Sequence, residues 1–141
     1  MAISEKIRKL IDNAWDDGYP CLLATTGAAG PNISPKGSML VFEDNNLAYW
    51  ERSKRNALAN LGQDRRVAVM YANFQAQRAG VLDSGFLRFF GTAELHESGP
   101  IRDQIFAKLT KREQEHDGAD TGIGVLIRVS RATDLRGKPL P

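Results

Sequence analysis

Six segments of strand-type composition run through this chain, and the turns between several of them are too short to hold a crossover. The clearest are RVAVMYANF at residues 66–74 and GFLRFFGTAEL at 85–95, both rich in valine or aromatic rings. PCLLATT at 20–26 is separated from PNISPKGSMLVF at 31–42 by the turn Gly27-Ala-Ala-Gly30. The polar turn Glu43-Asp44-Asn45-Asn46 then leads to LAYW at 47–50. The last segment, at 122–135, alternates Val125, Ile127 and Val129 against Arg128 and Ser130. Parallel neighbours need a connection of about a dozen residues or more, so four-residue turns give antiparallel ones. The expected architecture is mainly β (α+β): six antiparallel strands in a sheet closed or nearly closed into a barrel, with helices at its ends or gaps. Gly91 reads as a bulge in the 85–95 strand.

Three helices complete the pattern. Ser4 can cap a first helix in which Ile3, Ile7, Leu10, Ile11, Ala14 and Trp15 recur at spacings of three and four, until Asp16-Asp17-Gly18 ends it. Its polar face mixes both signs of charge, which reads as packing on a core and not as a membrane anchor. A short helix spans 53–61. A third starts at Ser98-Gly99-Pro100, with proline at the first helical position, and runs to about residue 115, its second half charged and solvated. A length of 141 residues suits one domain, 1–141. The formal net charge of +2 argues against nucleic-acid binding by bulk electrostatics. No apolar stretch approaches the roughly 20 residues that span a membrane, no secretory leader pattern is visible, and the expected location is the cytoplasm. The single cysteine, Cys21, sits in an apolar run and reads as a buried, inert thiol.

The donor-rich stretch lies at residues 31–61. Side chains alternate along a strand, so Ser34, Lys36 and Ser38 share one face. A half-exposed strand with a polar outer side explains that row equally well. The helix after it shifts the balance. With Ser53 as N-cap, Lys54 and Arg55 fall in the first helical turn, where the helix dipole disfavours cations by several tenths of a kcal/mol each. An anion held by free N–H groups, the two cations and the amide of Asn56 would remove the conflict. A solvated turn partly neutralised by Glu51 is the competing reading. Trp50, Phe74 and the Phe86–Arg88–Phe90 row could line a site for an aromatic ring next to such an anion. No metal site is expected: His96-Glu97 lacks the second histidine of a zinc-protease motif, and His116 lies in a charged run. Gly122-Ile-Gly124 leads into a strand and lacks the third glycine of a dinucleotide loop. No GxSxG nucleophile motif is present.

PNISPKGSM, LAYWERSKRNALANLGQDRRVAVMYAN and GFLRFFGTAEL, in that order, resemble the pyridoxamine 5′-phosphate oxidase-like family of flavin-binding split-barrel proteins. The resemblance implies a six-stranded split β-barrel that forms a homodimer, with two flavin mononucleotides (FMN) at the dimer interface. It implies that Lys36 and Ser38 hold the phosphate from the second strand, and that Ser53, Arg55 and Asn56 hold it from the segment after the third. It places Trp50 near the ribityl chain or ring, Asn73 and Phe74 toward the ring, and Arg88 as a contact from the other subunit. With Ser34 and Gly37 from the second strand, these form the candidate cofactor-binding set.

The chain departs from the family's enzyme proper, which has a serine followed by an arginine–lysine pair where this chain has Ser53-Lys54-Arg55-Asn56. The ending DLRGKPLP also has no convincing counterpart of the arginine motif that helps bind pyridoxal phosphate. The expectation is an FMN-dependent oxidoreductase acting on a small molecule other than pyridoxamine phosphate. A deazaflavin-dependent reductase and a non-catalytic flavin- or haem-binding protein are the alternatives. No side chain stands out as a general acid or base.

Overall fold

A computed structural model describes residues 2–116 and 121–140. The order is α1 (Glu5–Asp12), β1 (Cys21–Gly27), β2 (Gly30–Lys36), β3 (Leu40–Phe42), β4 (Asn46–Glu51), α2 (Asn56–Leu61), β5 (Arg66–Ala72), α3 (Phe74–Arg78), β6 (Phe86–His96), α4 (Pro100–Lys108), α5 (Lys111–His116) and β7 (Ile123–Thr133). The strands form one antiparallel sheet in the order β2-β1-β5-β6-β7-β4-β3. The fold is mainly β with flanking helices, as the turn spacing requires.

The order of the strands dictates the curvature. Strands β2 and β3 are the two edges of the sheet, yet only three residues separate Lys36 from Leu40. Laid flat, seven strands at about 4.8 Å spacing would hold their edges about 29 Å apart. Four Cα–Cα steps of about 3.8 Å reach at most about 15 Å. The sheet must therefore curl until its edges nearly meet, which produces a split barrel. The same step explains why the strand expected over 31–42 is two strands and the count is seven: the chain leaves one edge at Lys36 and joins the other at Leu40.

The edge strand β2 carries Pro31 and Pro35, which lack the N–H that an interior strand must donate. At the other edge the Val41 N–H donates to Asp12 Oδ1 at 2.8 Å, which ties α1 to β3. Ser4 caps α1 as expected, accepting from Ile7 N–H.

The barrel interior is packed by Ile7 and Ile11 of α1, Cys21 and Leu23 of β1, Tyr49 of β4 and Phe89 of β6, among others. A second cluster joins Leu40, Phe42, Ala48, Trp50 and Leu126 to Ile105 and Leu109 of the α4 region. Because α4 covers this part of the sheet from outside, β7 is buried on both faces from Ile123 to Ile127, and the expected alternation is visible only beyond it. The β6–β7 ladder shifts register between Phe90 and Gly91, where Ser130 is the extra residue on β7. A Cβ on Gly91 would lie 2.3 Å from the Arg128 carbonyl oxygen, so the glycine is what lets the two backbones approach.

Three local expectations need correction. Strand β5 ends at Ala72, and Phe74 starts the helix α3, because the Asn73 side chain turns to cap it by accepting from Ala76 N–H at 2.9 Å. The third helix breaks at Leu109, whose backbone is extended, and resumes as α5. Its second half is not wholly solvated: Glu113 is buried, with Arg112 at 2.8 Å and Arg52 at 3.4 Å. The end of that charged run, residues 117–120, lies outside the described residues. Among the described residues no helix is long and apolar enough to cross a membrane.

Cys21 is fully buried, and desolvation pushes its thiol pKa up to about 12. Since the thiolate is the reactive form, the native protein is expected not to react with Ellman's reagent at pH 8 and to react with one equivalent in denaturant. Full reaction without denaturant would show that the β1 core opens readily.

Candidate site at the barrel split

Cross-strand partners share a face of the sheet. Asn32, Ser34 and Lys36 pair with Thr25, Leu23 and Cys21, whose side chains are buried. The polar row of β2 therefore points to the barrel side. Pro31, Ile33 and Pro35 point outward, and Ile33 is 69% exposed. An outer polar side on this strand is ruled out: the exposed side is the apolar one. Ser38 does not extend the row, because β2 has ended. It sits opposite Trp50, where its hydroxyl accepts from Trp50 N–H at 2.9 Å and donates to Trp50 C=O at 3.3 Å. A side chain thus stands in for two ladder bonds at the split.

Two adjoining clefts open here. One, of about 220 Å³, is lined by Asn32, Ser34, Lys36, Glu51, Ser53, Arg55, Asn56 and Ala57. The other, of about 340 Å³, includes Lys36, Gly37, Ser38, Trp50, Arg52 and Glu113. Lys36, Glu51 and Ser53 belong to both. Behind Lys36 lies the buried Tyr49, which lines neither cleft but has its ring centroid 5.1 Å from Lys36 Nζ. Burial raises the Tyr49 phenol pKa, so it stays protonated. Trp50 packs edge-on against Phe106 at 5.1 Å, beneath α4, and presents only part of itself to the cleft.

The helix start is not as expected. Helix α2 begins at Asn56, and Arg55 is its N-cap, with no side-chain cap bond. Ser53 lies two residues upstream and donates to Glu51 Oε2 at 3.4 Å. Lys54 N–H donates to the same oxygen at 3.4 Å, and Lys54 takes a left-handed backbone with φ of 52°. Lys54 and Arg55 therefore precede the helix, and the dipole conflict that a basic first turn would create does not arise. Arg55 still lines the smaller cleft, because Glu51 draws the chain around its carboxylate through Ser53 and the Lys54 N–H; the Lys54 side chain lines neither cleft. Arg55 is exposed and makes no ion pair among the described residues.

Eight of the candidate residues line these two clefts: Ser34, Lys36, Gly37, Ser38, Trp50, Ser53, Arg55 and Asn56. Asn73, Phe74 and Arg88 line neither cleft. Both ends of the Asn73 amide are used locally, by Ala76 N–H and by the Tyr71 hydroxyl at 2.8 Å. Phe74 is half exposed, edge-on to Phe86 at 5.0 Å. Arg88 pairs with Met70, Met70 with Leu22 and Leu22 with Pro35, so Arg88 is on the outer face, opposite to Lys36. It donates to the Leu135 carbonyl at 2.9 Å. Sequence reasoning missed Asn32 and treated Glu51 only as a partial neutraliser. Asn32 was open to the same parity argument as Ser34, and Glu51 to its alternation with Tyr49.

The donors suit a phosphate: two cations, two hydroxyls and two amides around about 220 Å³. Glu51, which also lines the cleft, is the one group of the wrong sign.

Comparison with known proteins adds the following. No curated protein sequence matches the chain. Among solved structures, HupZ of Group A Streptococcus superposes with a TM-score of 0.72 at 26% identity, covering 99% of both chains. An FMN-binding protein from Syntrophomonas wolfei superposes at 0.63 with 12% identity, over 92% of this chain and 86% of that one. A structure named F420 reductase gives 0.61 and 15%, over 93% and 98%. The last two likenesses concern the fold alone. The family model described as pyridoxamine 5′-phosphate oxidase matches residues 3–130, and the chain belongs to that family.

Proposed function

We propose that the chain binds FMN at the barrel split and works in the cytoplasm as an FMN-dependent oxidoreductase on a small molecule. The observation that carries the reading is the division of the candidate residues. The polar set converges on one pair of clefts on the barrel side. The Phe86–Arg88–Phe90 row lies on the outer face, with Ala68 and Met70 beside it. A ligand that touches both sets must do so across two copies of the chain, which supports a homodimer with the cofactor at its interface. The partly exposed Leu22, Ala24, Ile33 and Met70 give that outer face the apolar character of an interaction surface.

In this reading Lys36, Ser34, Ser53, Arg55 and Asn56 hold the phosphate. Ser38, expected at the phosphate, has its hydroxyl engaged by Trp50 and lines only the larger cleft, so with Gly37 and Trp50 it borders the ribityl chain instead. Asn73, Phe74 and the second copy's Arg88 lie toward the ring. Bound flavin supplies electron transfer, and the protein contributes position, hydrogen bonds to the ring and access. No step requires a side chain as acid or base. The structural likeness to the protein named F420 reductase supports one second reading, in which a deazaflavin phosphodiester meets Lys36 and Arg55.

The test is direct. The purified protein should be yellow, release FMN on denaturation and elute as a dimer by light scattering. A colourless protein that takes up no added FMN overturns the reading, and a deazaflavin or haem spectrum replaces it. Arg55→Ala should weaken FMN by about 1–3 kcal/mol, the scale of a lost charged hydrogen bond, without loss of stability, since Arg55 is exposed. Bound flavin that no electron donor reduces would mark a carrier in place of an enzyme.

A further inference from the structure

The donors best placed for an anion are already turned onto an anion, and that anion belongs to the chain. Glu51 Oε1 lies 3.4 Å from Lys36 Nζ. Its Oε2 accepts from Ser53 Oγ and from Lys54 N–H, both at 3.4 Å. The side chain is 2% exposed and lines both clefts. The carboxylate supplies the counter-charge that the Lys36 ammonium, itself only 12% exposed, needs inside the protein. Lys36 and Ser53 are also two of the groups assigned to the phosphate.

We propose that Glu51 is an internal anion that competes with the ligand's phosphate for this donor set and so sets how strongly the site favours phosphorylated over unphosphorylated forms of one ligand. The proposal rests on the flavin-phosphate reading above. A phosphate can gain Lys36 and Ser53 only if Glu51 turns away, or if two negative groups sit within about 4–6 Å of each other, a separation at which like charges disfavour one another. Either route weakens the binding of a phosphate and leaves an uncharged terminus untouched. The side chains of Arg55 and Asn56 line the smaller cleft without donating to Glu51, so the first contacts with an incoming phosphate fall to them. The two cations then differ in role: Arg55 meets the phosphate, and Lys36 is released to it by Glu51.

Glu51→Gln keeps the side-chain shape and removes the charge. Wild type and Glu51→Gln are to be titrated with FMN, riboflavin and inorganic phosphate. The expected result is at least about tenfold tighter binding of FMN and of phosphate in the variant, the factor that corresponds to about one charged hydrogen bond, with riboflavin unchanged. Equal or weaker binding of FMN and phosphate by a folded variant overturns the proposal. If neither protein binds either flavin but the variant gains phosphate affinity, the flavin reading falls and the competition stands. Should Glu51→Gln fail to fold, Glu51→Asp keeps the charge but shortens the reach to Ser53 and Lys54. It is expected to show a smaller gain in the same direction, and no gain there overturns the proposal.

Discussion

Lys36→Met is expected to lower folding stability by about 3–5 kcal/mol, read as a fall in the urea midpoint at unchanged slope. The substitution leaves the carboxylate of Glu51, 2% exposed, without its ammonium. Breaking a buried pair on one side costs more than the pair contributes, because the surviving charge cannot be solvated. Pairing the change with Glu51→Leu should therefore recover most of the loss. In the double variant two apolar side chains meet over the Tyr49 ring and no charge is stranded. FMN binding, in contrast, should not return, since the cation is gone in both variants. A single variant as stable as wild type would mean that water reaches Glu51 and that the pair is a surface contact. A double variant no better than the single would assign the cost to lost packing of the lysine stem.

Gly91→Ala is expected to cost about 3 kcal/mol or to prevent folding altogether. The added Cβ would stand 2.3 Å from the Arg128 carbonyl oxygen and 2.9 Å from its carbon, and both are backbone atoms of the neighbouring strand. A flexible side chain could turn aside, but here β6 and β7 themselves must part, and their ladder is the longest in the sheet. Overpacking of this kind commonly costs about 1–3 kcal/mol, with the upper end where backbone must move. Gly62→Ala is the control. Gly62 has ordinary right-handed backbone (φ −66°), and its nearest neighbour to a new Cβ is the Ala59 carbonyl oxygen at 3.3 Å. Its effect should be well under half as large. Equal midpoint shifts in the two variants would remove the close approach at the bulge as the cause.

Much of the fold was legible because strand chemistry is local. The short turns at 27–30 and 43–46 leave an antiparallel arrangement as the only short solution, and Ser4, Gly91 and Cys21 each carried a signal read from their immediate neighbours. The break at residues 37–39 was not legible. Nothing in PNISPKGSMLVF says that the chain changes edges halfway; that follows from the closure of the whole sheet. The helix start failed for a related reason. Ser53 is a good cap residue, but a cap forms only if its hydroxyl is free, and a buried carboxylate two residues upstream claims it. At the site, parity placed Ser34 and Lys36 on one face correctly, but could not say which face was outside. Only pairing with Cys21 and Leu23 decides that. The separation of Arg88 from Lys36 by the thickness of the sheet is likewise a property of register across four strands.

The two edges of the sheet have a consequence for how copies of this chain can associate. A strand edge with free donors is a template on which another chain can add, the route to fibres. On β2 the outward positions are Pro31, Ile33 and Pro35, so two of the three donors that such a template would offer do not exist. On β3 the outward Val41 N–H is taken by Asp12. Growth by strand addition is thus opposed at one edge by missing donors and at the other by an occupied one. The apolar outer face carries neither safeguard. These edges oppose open-ended stacking along the hydrogen-bond direction, and the homodimer proposed above, a meeting of faces that closes after two copies, is the association they permit.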